Sequence, residues 1–197
     1  MTRVEEALRR IVADLARTSR PFALVGGFAV SARTEPRFTR DVDLVVAVPD
    51  DAAAEHLLSE LRTHGYVLVA AIEQLAADRP ATARLASPST SDDELIVDLL
   101  FASSGVEAEI AARAEDLEVL PGLVVPVARV GDLLALKLLS RDDDVRPLDA
   151  ADLRALRSVA GADDLTLARR TVMLIQRRCY ARGRDLVAAL DEMPDGT

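Results

Sequence analysis

Two aspartates one residue apart, Asp41 and Asp43, stand in the apolar run DVDLVVAV, and two glycines, Gly26 and Gly27, follow an earlier run, FALV. Side chains two apart on a strand project from one face, so both carboxylates aim at one point while Val42 and Leu44 face the opposite layer. Carboxylates placed side by side repel, and one tends to hold a proton unless the pair is exposed or shares a divalent cation. Asp98, in ELIVDLLFA, is a third acid in an apolar run, where a lone carboxylate is costly without a partner. Together the three would make a magnesium site. Singly, Asp41 and Asp43 read as a solvent-facing strand edge and Asp98 as a strand end. Glycines after a strand let the backbone approach an anion, and a following helix points its free amides at the same place. A double glycine there is also a common turn.

Positive charge is distributed unusually. Lysine and arginine total 24, yet Lys137 is the only lysine. It sits among leucines in GDLLALKLLSR, where an ammonium either snorkels to solvent or reaches a phosphate oxygen that suits a compact point charge. Residues 165–185 carry Arg169, Arg170, Arg177, Arg178, Arg182 and Arg184. That segment reads either as a solvated helix face or as a local grip on nucleic-acid phosphates.

The elements that must position these residues follow from periodicity. Helices are predicted at 3–17, 27–33, 51–63, 106–114, 131–140, 148–159, 164–180 and 183–191, the helix at 51–63 ending in the break HGY. Strands are predicted at 22–25, 41–48, 66–71, 82–86, 94–101, 117–120 and 123–127, with an exposed hairpin loop over 86–94. The order implies an α/β (α+β) fold: a mixed α/β lobe over residues 1–130 and a helical lobe over 131–197.

Bulk properties restrict the chemistry. Half of the 197 residues are hydrophobic, enough for a substantial core. No apolar run approaches the roughly 18 residues of a membrane span, and the charged amino terminus is unlike a secretory signal, so a cytoplasmic protein without a membrane partner is expected. One cysteine excludes an internal disulfide, and with two histidines no zinc constellation can be assembled. A metal here would be held by carboxylate oxygen, which points to Mg2+ or Mn2+. The net charge of -9 argues against general affinity for nucleic acid and leaves the arginine segment as the local exception.

The two glycines, then FTRDVDL, then an acid on a later strand, resemble the nucleotidyltransferase superfamily typified by polymerase beta. More narrowly, GGFAV, RFTRDVDLVV, ALKLLSR and RPLDAADLRAL, in that order over about residues 22–157, are similar to the AbiEii type of nucleotidyltransferase toxin, which includes the mycobacterial MenT proteins. The resemblance implies a polymerase beta-like lobe with a mixed sheet flanked by helices, the helical lobe completing an active-site cleft. It implies a toxin of a toxin–antitoxin system that transfers nucleotides from a nucleoside triphosphate, CTP or another pyrimidine nucleotide among them, to the 3′ end of tRNA. Aminoacylation and translation would be blocked, and a cognate antitoxin protein would be a partner.

By motif position, Asp41 and Asp43 would bind magnesium, Gly26 and Gly27 with Thr39 would meet the triphosphate, and Lys137 would hold phosphate. Asp152 would be the acid of the helical lobe, and Asp98 a third metal ligand or a base. Asp149, in the first turn of its helix, is expected merely to complement the helix dipole. Two rivals use the same residues: a nucleotidyltransferase whose acceptor is a small molecule or a protein, and a catalytically silent nucleotide-binding protein.

Overall fold

The computed structural model describes residues 2–37, 39, 41–74, 79–88, 95–141 and 147–194. The chain opens with α1 (Arg3–Arg17), whose first turn is closed by a capping box. The Thr2 hydroxyl accepts from the Glu5 amide at 3.3 Å, and the Glu5 carboxylate accepts from the Thr2 amide at 2.9 Å. Leu8, Ile11 and Leu15 fall on one side of this helix and are buried.

The short apolar strand β1 (Phe22–Val25) runs directly into α2 (Gly26–Arg33), and the chain returns antiparallel as β2 (Val42–Val46). Helix α3 (Asp51–Thr63) stops at the predicted HGY break. Gly65 there takes φ 91°, so that its own N–H reaches the Arg62 carbonyl and that of Tyr66 the Leu61 carbonyl. Strands β3 (Val67–Gln74), β4 (Arg79–Ala86) and β5 (Ile96–Leu100) follow, then α4 (Glu107–Ala112), β6 (Glu115–Leu120) and β7 (Leu123–Val127). The remainder is helical: α5 (Val130–Ser140), α6 (Pro147–Val159), α7 (Ala162–Arg177) and α8 (Leu186–Asp191).

The strands make one mixed sheet in the order β3-β4-β5-β2-β1-β7-β6. β2 lies at its centre, parallel to β5 and antiparallel to β1. The α/β fold expected from the alternation of elements is therefore present. A continuous apolar core joins Leu24, Leu44 and Leu99 of the sheet to Leu134 of α5 and Val172 of α7. Helices α5 and α7 approach closely because residue 131 is glycine: a Cβ there would run into the Asp164 carbonyl.

The end of one expected helix differs from the structure. A helix over 164–180 ends instead at Arg177, because Cys179 takes φ 65° and the Tyr180 and Cys179 amides turn back to the Ile175 and Gln176 carbonyls, both at 3.0 Å. This is a Schellman ending built without glycine, so sequence gives no stop signal. The hairpin loop expected at 86–94 falls, for residues 89–94, outside the described residues. Among the described residues, no helix is long and apolar enough to cross a membrane.

Candidate active site

The centre of the sheet aligns a row of residues across four strands. Val25 of β1 pairs with Asp43 of β2, Asp43 with Asp98 of β5, and Asp98 with Arg84 of β4. Because these are register partners, their side chains emerge from one face. Burial of Val42 and Leu44 in the opposite layer fixes that orientation.

The turn from β1 to α2 is fitted to this row. Gly26 has φ 64°, and a Cβ on it would fall on Asp43 Oδ2. Residue 26 must therefore be glycine for conformation and for space alike. A Cβ on Gly27 would lie 2.6 Å from Thr39 Oγ1 and 3.1 Å from Arg37 Nη2, so the segment carrying Thr39 is stacked on the helix start. Val25, at the amino-terminal cap of α2, makes no side-chain hydrogen bond to the first amides of the helix.

Asp98 does not stand alone in its strand. Arg84 forks onto it, Nε to Oδ1 at 2.9 Å and Nη2 to Oδ2 at 2.7 Å. The Arg84 guanidinium is held still further above its ordinary value, first by this hydrogen bond, then by the Asp98 charge, with Asp41 and Asp43 adding to it against desolvation. The three acids and Arg84 thus form one electrostatic unit. Asp41 is exposed, at the residue before β2.

A second network lies on the helical side. Lys137 Nζ donates to Asp149 Oδ1 at 2.7 Å and lies 2.8 Å from Asp152 Oδ2. Asp152, only 2% exposed, also receives Arg37, Nε to Oδ1 and Nη2 to Oδ2, both at 2.7 Å. Ser140 Oγ donates to Asp149 Oδ2 at 3.1 Å. Arg37 therefore ties the segment that bears Thr39 and Asp41 to α6. Asp149 does more than the expected complement to the helix dipole, because it also balances Lys137.

Both networks open on one cavity of about 410 Å3, whose lining includes Gly26, Gly27, Asp43, Asp98, Arg84 and Lys137. Among the described residues, no cluster of three or more metal-ligating side chains stands together. Asp41 and Asp43 nevertheless offer the oxygen ligands that a hard cation takes, and the missing side chain of Gly26 makes room for the Asp43 carboxylate against the turn.

The six arginines of the 165–185 segment divide. Arg169 pairs with Asp191. Arg178 pairs with Glu109 at 2.5 Å and also donates to the Gly105 carbonyl. Its hydrogen bond holds the Glu109 carboxyl below its ordinary value, against the opposing effect of burial. Arg184 donates to the Leu139 and Arg141 carbonyls at 3.1 and 2.6 Å. Arg182 donates to the Ser103 carbonyl at 3.3 Å and borders the cavity. Arg170 and Arg177 are exposed.

Sequence reading passed over Arg37, Arg84 and the serines of the β5–α4 turn. For Arg84 a signal existed, since its place in the alternation of TARLA puts it on a defined face. Which acid that face meets depends on strand order.

A mixed sheet with a glycine turn beside strand-borne aspartates is the nucleotidyltransferase fold, and solved structures agree. A nucleotidyltransferase-like antigenic protein from Paracoccidioides brasiliensis superposes with a TM-score of 0.58 at 17% identity, over 98% of this chain and 94% of that one. The antibiotic-resistance factor ANT(2″)-Ia does so with a TM-score of 0.57 at 19% identity, over 91% and 94%. The lincosamide antibiotic adenylyltransferase LnuA, in a lincomycin-bound crystal structure, gives a TM-score of 0.51 at 16% identity, over 79% and 98%. No protein with a curated description matches the sequence. The sequence profile described as nucleotidyl transferase AbiEii toxin, type IV toxin–antitoxin system, matches residues 6–195, and the chain belongs to that family.

Proposed function

We propose that this AbiEii-family nucleotidyltransferase transfers nucleotides from a nucleoside triphosphate to the 3′ end of tRNA and so blocks aminoacylation. The observation that carries the reading is the Val25–Asp43–Asp98–Arg84 row, set against the Gly26 turn and facing Lys137 across one cavity. In the reaction the RNA 3′-hydroxyl attacks the α-phosphorus in line, the phosphoanhydride bond breaks and pyrophosphate leaves.

The amides of Gly26 and Gly27, at the start of α2, donate to triphosphate oxygens, with Thr39 beside them. Lys137 exchanges an aspartate for a phosphate oxygen and so orients the leaving group. Magnesium held by Asp41 and Asp43 would supply charge neutralisation of the triphosphate and a Lewis acid for the α-phosphoryl oxygen. Asp98, already the acceptor of a forked arginine, keeps Arg84 beside the pair rather than offering a free carboxylate. Asp152 positions Lys137 and, through Arg37, the segment carrying Thr39 and Asp41. Residues 1–130 and 131–197 act as two lobes around the cavity. A cognate antitoxin and a cytoplasmic site of action belong to the same proposal.

The test incubates the purified protein with magnesium, each labelled nucleoside triphosphate and total RNA. Label in tRNA that disappears in Asp43→Ala and Asp41→Ala, with unchanged circular dichroism, is the expected result. Label in a small molecule or in protein would move the acceptor to another class. No label with any acceptor would sink the enzymatic reading.

A further inference from the structure

Arg37 stands beside Lys137 and against the start of α2 at once. Its Nη2 donates to Asp152 Oδ2 at 2.7 Å, and Lys137 Nζ lies 2.8 Å from that same oxygen, so the two nitrogens are no further apart than those distances laid end to end. One carboxylate oxygen, on a side chain 1% exposed, thus gathers two positive charges that would otherwise repel. Asp149 also accepts from Lys137, so that two acids balance two bases.

Gly27 sets the contact with α2. Unlike Gly26 it does not take a positive φ, so glycine is needed there for space alone. A Cβ would come within 3.1 Å of Arg37 Nη2 and 2.6 Å of Thr39 Oγ1. The guanidinium thus fills the place that a side chain would have taken on the first turn of α2. That is the positive end of the helix dipole, where an acid stabilises and a cation is opposed. A tie to α6 does not by itself call for a cation at that end. An anion bound at the turn reverses the sign, because the helix end, the guanidinium and the ammonium all attract it. Gly27 and Lys137, between which Arg37 is anchored, both line the cavity that Asp43 also lines.

Resting on the nucleotidyltransferase reading above, we propose that Arg37 is a further phosphate-binding residue, which with Lys137 grips the triphosphate of the incoming nucleotide. A guanidinium has five N–H groups, and the fork on Asp152 employs two of them, from Nε and Nη2. The buried carboxylate fixes the plane of the fork, so little side-chain freedom is lost when a phosphate arrives. The group recognised is the polyphosphate, whatever base it carries.

Binding, rather than turnover, tests it. Inorganic tripolyphosphate, which carries the phosphates without base or ribose, is titrated into the full chain by calorimetry with magnesium present. Wild-type protein should bind it. Arg37→Gln, whose amide can still donate to Asp152, should bind at least about tenfold more weakly, the loss of a hydrogen bond to a charged group. Ser31→Ala separates this from the position of the segment: Ser31 Oγ accepts from the Arg37 amide at 3.3 Å and donates to its carbonyl at 3.4 Å, bonds made through the Arg37 backbone. That variant should bind as wild type does. If Arg37→Gln fails to fold, Arg37→Lys takes its place and should also bind more weakly, because its one nitrogen is held by Asp152. Unchanged affinity in the Arg37 variant overturns the assignment. Equal loss in Ser31→Ala overturns it too, since segment position would then explain the effect. Binding of α,β-methylene nucleoside triphosphates without binding of tripolyphosphate does the same. Failure of wild-type protein to bind either probe removes the nucleotidyltransferase reading beneath, an outcome distinct from a loss confined to Arg37.

Discussion

Lys137 illustrates what one residue can be asked to do when its surroundings are known. Its ammonium is 14% exposed at the side chain and stands within 2.8 Å of both Asp149 and Asp152, whose side chains are 6% and 1% exposed. Removing one partner of such a buried set leaves uncompensated charge and costs about 3–5 kcal/mol. Lys137→Ala should therefore lower stability by that order in urea unfolding, and adding Asp149→Asn should recover part of it. Lys137→Arg should fold yet transfer nucleotides poorly, because Asp152 already receives a forked guanidinium from Arg37 and a second planar fork has no free edge to meet. Near-normal turnover in the arginine variant, measured by steady-state kinetics, would show that any cation suffices there. The lysine itself was legible as an exception to the chain's arginine habit. Its aspartates were only partly so, because the contact spans from α5 to α6 and helix packing is invisible to local pattern. Arg84 was missed for a related reason: only the register of β4 on β5 brings it to Asp98.

At the scale of elements, the β1–α2 turn and the α4–α7 contact make opposite kinds of demand. Gly26→Ala would impose a Cβ at φ 64°, with backbone strain of roughly 1–2 kcal/mol, and would displace the Asp43 carboxylate. A fall in melting temperature together with loss of transfer is expected, whereas full activity would mean that the carboxylate does not work from this position. The pair of Glu109 on α4 with Arg178 after α7 is more forgiving, being a third or more exposed on both sides and screened by solvent. Because the folded Glu109 value is lowered, its contribution is fully present above the unfolded carboxylate value of about 4.3 and is lost as pH falls through the folded one. Melting curves of wild type and Glu109→Gln should differ slightly near neutral pH, by under about 1 kcal/mol, and merge in acid. A gap that persists unchanged in acid would assign the effect to packing. The element types were legible from periodicity almost throughout, since their burial patterns are regular. The end of α7 was not, since a cysteine does what a glycine usually does.

The whole molecule is an acidic body of net charge -9 that must, on the proposed reading, hold a polyanion. With Arg169, Arg178 and Arg184 engaged within the fold, fewer cations of the 165–185 segment are left for RNA phosphates, and if RNA binds there the dependence of transfer on salt should be shallow. If the exposed Arg170 and Arg177 each meet one phosphate, replacing either with serine should reduce the logarithmic salt slope by about 0.7–0.9. An unchanged slope in both variants would place the RNA elsewhere on the surface.

The central position of β2 has a consequence for folding fidelity. Because this strand is hydrogen-bonded on both sides, a slip of one residue would carry Asp43 into the apolar interior and expose Val42 and Leu44 to the cavity. The misregistered chain would bury a carboxylate without Arg84 within reach, so it would be selected against as it formed. The residues proposed to act on the nucleotide therefore also discriminate between the correct and the slipped sheet, and their loss should make refolding less faithful even where the native fold tolerates it.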